Sequence, residues 1–162
     1  MGVAGTGKTT VGRRLAEQLG WPFLDADDLH STSSRTKMAA GIPLSDEDRA
    51  PWLRRVRRRL DEHLGRGESV VVACSALRER YRQVLLEGLA PAHRVHVVHL
   101  CGDTTLIEQR LGARRDHFFD PALLASQLAT LEAPDSALVV DVAPSVEVVV
   151  ERILAARSFD PT

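Results

Sequence analysis

Residues 2–9 read G-V-A-G-T-G-K-T, which fits the spacing G-x-x-x-x-G-K-[ST] of a loop that wraps phosphate groups. Gly5 and Gly7 permit the tight turn and let backbone N–H groups face phosphate oxygens. Apolar residues at Val11, Leu15 and Leu19 recur at helical spacing directly afterwards. The positive end of that helix therefore adds to anion binding. Lys8 reaches toward the β- and γ-phosphates of a nucleotide, and the Thr9 hydroxyl offers a ligand to Mg²⁺. Such a loop is normally launched from the end of a buried β-strand, yet only Met1 stands before it here.

Beyond the loop, short β-branched runs alternate with amphipathic stretches. Strands are expected at 22–24, 69–74, 95–100 and 137–142. Helices are expected at 8–19, 45–64, 78–89, 104–115, 121–131 and 146–156. This alternation predicts an α/β fold, a parallel sheet with helices on both faces, in one domain spanning 1–162. The arginine-rich run 54–59 lies on a helix whose Leu53, Val56, Leu60 and Leu64 form an apolar stripe, so its arginines read as a solvated face. Ser45 and Asp48 have the spacing of a capping box, and Pro51 is expected to kink this helix or to mark the start of its long part.

Acidic residues are missing where many nucleotide hydrolases keep one. The apolar run "SVVVACSA" ends in Cys74 and Ser75, while "FLDADDLH" supplies Asp25, Asp27 and Asp28. In an extended segment Asp25 and Asp27 share a side. One would serve Mg²⁺ through water and the other take a proton from a substrate hydroxyl; Asp28 would point away or cap the next helix. An acid pair there suggests transfer to a small alcohol. Arg110 and Arg114, four apart on one helical face, suit a lid closing at about 110–120 over the transferring phosphoryl group.

The bulk properties exclude several classes. A net charge of −1 argues against a general nucleic-acid or membrane-surface binder, and no apolar run is long enough to span a bilayer. Cys74 and Cys101 stand apart with no metal-ligand spacing, as expected of free thiols in a reducing cytoplasm. Lysine occurs only at positions 8 and 37 among many arginines, which hints that an ammonium is specifically required at each.

The blocks "GVAGTGKTTV", "LDADDLH", "KMAAGIPLSDEDRAPWL", "CSALRERYR", "RLGARRDHFF" and "SQLATLE" resemble the gluconate kinase (gluconokinase) family, relatives of the shikimate kinases. The resemblance implies a P-loop three-layer α/β/α fold whose loop-feeding strand is central in a five-stranded parallel sheet. It also implies transfer from ATP to the 6-hydroxyl of D-gluconate, with Mg²⁺, and a homodimer. By position, Gly2, Val3, Ala4, Gly5, Thr6, Gly7, Lys8 and Thr9 would hold the ATP phosphates, with Thr10 and Arg110 nearby. Thr9 and Asp25 would form the magnesium shell, and Asp27 would accept the proton. His30, Arg49 and Arg78 would grip the polyol and carboxylate, with Arg114 and His117 in or beside the lid. The chain departs from the family pattern at Ser31 and Ser34, where Pro and Asn are common, and at Ala26 and Asp116. A kinase of another small polyol or hydroxy acid, or a nucleotide-binding module without catalysis, are the alternatives. Because a central strand contributes so much buried surface, about 5–12 Val- and Ile-rich residues are expected to precede Met1.

Overall fold

A computed structural model describes residues 1–90, 94–113 and 121–156. Its order is α1 (Lys8–Leu19), β1 (Phe23–Asp25), a 3₁₀ turn (Ala26–Leu29), α2 (Thr32–Ala39) and α3 (Asp46–Leu64). There follow β2 (Val71–Ala73), α4 (Glu79–Leu86), β3 (Val98–Cys101), α5 (Thr104–Gly112), α6 (Pro121–Thr130), β4 (Leu138–Asp141) and α7 (Val146–Ala156). The strands pair in parallel as two separate ladders, Phe23–Asp25 on Val71–Ala73 and Val98–Cys101 on Leu138–Asp141. Parallel pairing requires crossovers, and the helices that make them cover both faces.

Three apolar clusters hold the layers together. Val11 and Leu15 of α1 meet Val149, Val150 and Ile153 of α7 over Leu100 and Val140. On the opposite face Trp52, Leu53 and Val56 of α3 pack with Tyr81 and Leu85 of α4 against Ala26 and Cys74. Val3, Leu77, Ile107, Leu111 and Leu124 close the end that carries the phosphate loop. The result is a three-layer α/β/α fold.

Helix ends follow local chemistry. α1 ends at Gly20, whose φ of 66° is the left-handed conformation that glycine adopts without penalty. α3 begins with the expected capping box between Ser45 and Asp48, and it continues from Asp46 through Pro51 as one element. The long part therefore does not start at the proline. α2 was not expected from periodicity, since "TSSRTKMA" has no apolar stripe and buries only Ser34. Ser31 caps α2, its Oγ accepting from the Ser34 N–H at 3.1 Å, so of the two alternatives for Asp28 the capping one is not taken.

The arginines of α3 serve the surface and neighbouring backbone. Arg55 donates to the Leu29 carbonyl at 2.8 Å, Arg57 pairs with Asp61 and Arg59 with Glu62. Lys37 places its ammonium 2.7 and 2.8 Å from the two Asp48 oxygens, tying α2 to the first turn of α3. No described helix is long and apolar enough to cross a membrane.

Candidate active site

The phosphate loop is held from three sides. Gly2 has φ 143° and its α-carbon faces the Leu100 carbonyl so closely that a β-carbon would come within 2.4 Å of the oxygen. Gly5, at φ 83°, leaves no room for a β-carbon against Ile107 and Leu111. The buried Thr6 hydroxyl donates to the Val3 carbonyl at 2.9 Å, and Lys8 Nζ donates to the same oxygen at 3.0 Å. Gln127 of α6 accepts the Ala4 N–H at 2.7 Å. α1 has no acidic residue in its first turn and no side-chain cap, so its positive end faces the loop unopposed by a carboxylate of its own.

At the strand end beside the loop, Thr9 Oγ1 donates to Asp25 Oδ2 at 2.8 Å. The other oxygen of Asp25 accepts the Asp27 N–H at 3.1 Å and caps the 3₁₀ turn. The chain therefore leaves the extended conformation directly after Asp25, and the expected period-two alignment of Asp25 with Asp27 does not form. A turn hydrogen bond brings the two acids together instead. Thr9 and Asp25 are hard oxygen donors of the kind Mg²⁺ prefers. Among the described residues no group of three or more His, Cys, Asp or Glu side chains is arranged for a metal. The pair fits an ion that brings phosphate and water as its remaining ligands.

His30 closes the turn. Its ring stacks on Trp52 with centroids 4.5 Å apart and planes 9° from parallel. The Trp52 indole N–H donates to the Ala26 carbonyl at 2.7 Å, which fixes the platform. His30 Nε2 lies 3.9 Å from Asp27 Oδ1, and its buried Nδ1 has no partner among the described residues. Burial lowers the imidazole below its ordinary value, and the charges of Arg35, Arg55 and Arg49 reinforce the effect against Asp27. The ring is neutral at pH 7, and its approach to Asp27 is not an ion pair.

Arg49 and Arg78 gather around Asp46 and Tyr81. Arg49 Nη1 donates to the Tyr81 hydroxyl at 3.4 Å, with its guanidinium 5.7 Å from the ring centre. Arg78 Nη1 lies 3.7 Å from Asp46 Oδ2, and Tyr81 and Arg80 both donate to the same carboxylate. The Tyr81 hydrogen bond, before the arginine charges, holds Asp46 below the usual carboxylate range. Arg110 Nη2 donates to the Val142 carbonyl at 2.8 Å. It lines a cavity of about 270 Å³ beside the loop, together with Gly7, Thr10, Pro144 and Val146. Arg114, His117 and the part of the expected lid at about 110–120 that follows Ala113 lie outside the described residues.

Sequence reading missed Gln127, Tyr81, Asp46 and Trp52. Each lies within a block quoted above, and the tertiary hydrogen bond or stack that gives it meaning has no local signature. Cys74 and Cys101 are free; burial pushes the Cys74 thiol up to about 12, which suits a packing residue better than a nucleophile.

A phosphate loop on a parallel α/β/α scaffold, with its threonine bonded to a strand-end aspartate, defines a P-loop kinase. A family model described as an AAA domain matches residues 1–134. A probable gluconokinase of Mus musculus is 45% identical over 150 residues, covering 84% of this chain and 82% of that protein. The crystal structure of a gluconokinase from Sinorhizobium meliloti 1021 superposes with a TM-score of 0.84 at 42% identity, covering 96% of this chain and 87% of that one. The chain belongs to the gluconokinase family. A shikimate kinase from Aquifex aeolicus vf5 shares the fold, with a TM-score of 0.60 at 19% identity over 96% of this chain and 92% of that one.

Proposed function

We infer that the protein transfers the γ-phosphoryl group of ATP to the 6-hydroxyl of D-gluconate, giving 6-phospho-D-gluconate and ADP. The observation that carries the chemistry is the chain of contacts from Thr9 through Asp25 to Asp27 at the mouth of the phosphate loop. Family membership supports gluconate as the acceptor. The loop N–H groups and Lys8 bind and neutralise the phosphates, and the cavity beside Arg110 receives the nucleotide base. Thr9 and Asp25 would hold Mg²⁺, which when bound screens charge on the phosphate oxygens. Asp27 accepts the proton of the attacking hydroxyl, and His30 orients the sugar acid beside it. Arg49 and Arg78 bind its carboxylate, the anion for which a guanidinium fork is suited. Arg114 and His117 act from the lid.

On this proposal residues 1–162 act as one catalytic domain, working as a homodimer in the cytoplasm, where two free thiols are at home. Steady-state ADP release with gluconate, with shikimate and with no acceptor tests it. Gluconate alone should raise the rate above the acceptor-free background. Equal rates in all three reactions, with ATP bound, would identify a nucleotide-binding module instead.

A further inference from the structure

The block "SQLATLE" at residues 126–132 supplies no group to the chemistry above, yet its polar side chains reach two different parts of the site. Gln127, on α6, accepts the Ala4 N–H of the phosphate loop at 2.7 Å. Glu132, just past α6, accepts the Glu79 N–H on Oε2 at 2.6 Å, and its own N–H donates to the Leu77 carbonyl at 2.8 Å. Those two bonds bracket Arg78. Arg78 is the N-cap of α4 and its side chain makes no cap hydrogen bond. Glu132 supplies, from far along the chain, the acceptor that a local cap would give.

The backbone before Arg78 needs such support. Ala76 is buried with φ 44°, a left-handed conformation that a residue with a β-carbon adopts only at a cost. No other described residue apart from glycine has a positive φ. Arg82, itself buried, holds this stretch from inside. Its Nη1 donates to the carbonyls of Ala76 at 3.1 Å and Glu132 at 2.9 Å, while Nη2 pairs with the Glu79 carboxylate at 2.6 Å. Apolar packing joins the same pieces: Val3 of the loop, Leu77 and Leu124 of α6 share one buried cluster, with Ala4 and Leu131 against it. Backbone strain persists where surrounding contacts over-determine it, and it gathers at functional sites. Here those contacts run from the phosphate loop to the residue assigned to the acceptor.

We propose that Gln127 and Glu132 are positioning residues, which make residues 127–132 a strut fixing the phosphate loop relative to Arg78. The inference rests on the reading of Arg78 as a ligand of the acceptor carboxylate. Each side chain acts through the backbone N–H that it accepts, Ala4 in one case and Glu79 in the other. Transfer needs donor and acceptor aligned, and an error of about 1 Å between reacting groups can cost roughly a hundredfold in rate. Loss of the Glu132 carboxylate frees the start of α4 and loosens Arg78, so acceptor binding weakens. Loss of the Gln127 acceptor leaves Arg78 in place but lets the loop shift against it, so turnover falls.

Three variants test the strut: Glu132→Ala, Glu132→Gln, which keeps an acceptor oxygen, and Gln127→Met, which keeps the length without one. Glu132→Ala should raise the KM for gluconate roughly tenfold and leave ATP affinity within about twofold, and Glu132→Gln should recover most of the loss. Gln127→Met should lower kcat roughly tenfold with the gluconate KM within about threefold. Melting temperatures separate these effects from unfolding, and Gln127→Met carries the test alone if Glu132→Ala does not fold. Glu132→Gln as impaired as Glu132→Ala would overturn the proposal, as would kcat and KM in Gln127→Met both within about twofold of the parent. A parent with no gluconate-dependent rate would instead remove the acceptor reading, and amide exchange without acceptor then decides. A non-hydrolysable ATP analogue should slow exchange at Glu79 at least about threefold in the parent and not in Gln127→Met. Equal slowing in both, or none in the parent, would overturn the strut.

Discussion

Asp27 owes its accessibility to a turn. Its N–H is fixed by Asp25, and its carboxylate stays 63% exposed beside a neutral imidazole rather than a cation. A carboxylate so placed is open to solvent and has no cation paired with it among the described residues, as the proposed base role requires. Asp27→Asn keeps the volume and removes the proton acceptor. Turnover should fall by roughly 10²–10⁴, the usual worth of a positioned base, with ATP affinity nearly unchanged. Steady-state rates and nucleotide titration measure both, and turnover within about threefold of the parent would remove Asp27 from the base role. The sequence made the residue legible and its geometry illegible, because "LDADDLH" reads equally well as a strand continuing or a strand ending. Lys37 is the converse case. Its rarity hinted at a special role, and the role it has is an ion pair with Asp48.

The helices were the more legible elements because their signals are local. α1 and α7 have the expected bounds, since apolar periodicity and end signals agree there. α2 escaped because its cap, Ser31, replaces an apolar stripe as the reason for the helix. β2, β3 and β4 are shorter than their apolar runs, for a ladder needs a partner. Residues 69–74 read as one strand, yet pairing on one side alone leaves three of them in β2. At the start of α3 the legible feature is also the testable one. Ser45 accepts the Asp48 N–H at 3.3 Å while Asp48 accepts the Ser45 N–H at 3.0 Å. Ser45→Ala loses one of these bonds and should cost about 1 kcal/mol, or roughly 2–4 °C in melting temperature. Thermal unfolding followed by circular dichroism reads the change, and an unaltered midpoint would mean that the Lys37–Asp48 pair holds the helix start unaided.

At the scale of the whole molecule, burial of cationic groups ties stability to pH. The Met1 amino group, facing Lys8, Cys74 and His99, is lowered by burial from 8.0 to about 5. Burial also lowers His30 and His99. Each group is neutral in the folded protein at a pH where the unfolded chain still carries its proton. The unfolded state therefore binds more protons between about pH 5 and 8, and stability rises with pH across that window. Below this window Asp46, Asp48 and Glu68, all lowered by hydrogen bonds in the folded state, add a further loss as they protonate. His30 and His99, lowered from 6.5 by burial, contribute mainly below pH 7, so most of the rise from pH 7 to 8 belongs to Met1. Urea unfolding at half-unit steps from pH 5.5 to 8.5 should show stability climbing throughout. Acetylating the Met1 nitrogen, or extending the chain there, should flatten the upper part and leave the lower part intact. A flat profile between pH 7 and 8 in the unmodified chain would mean that its amino group reaches water and does not donate to the Val98 carbonyl.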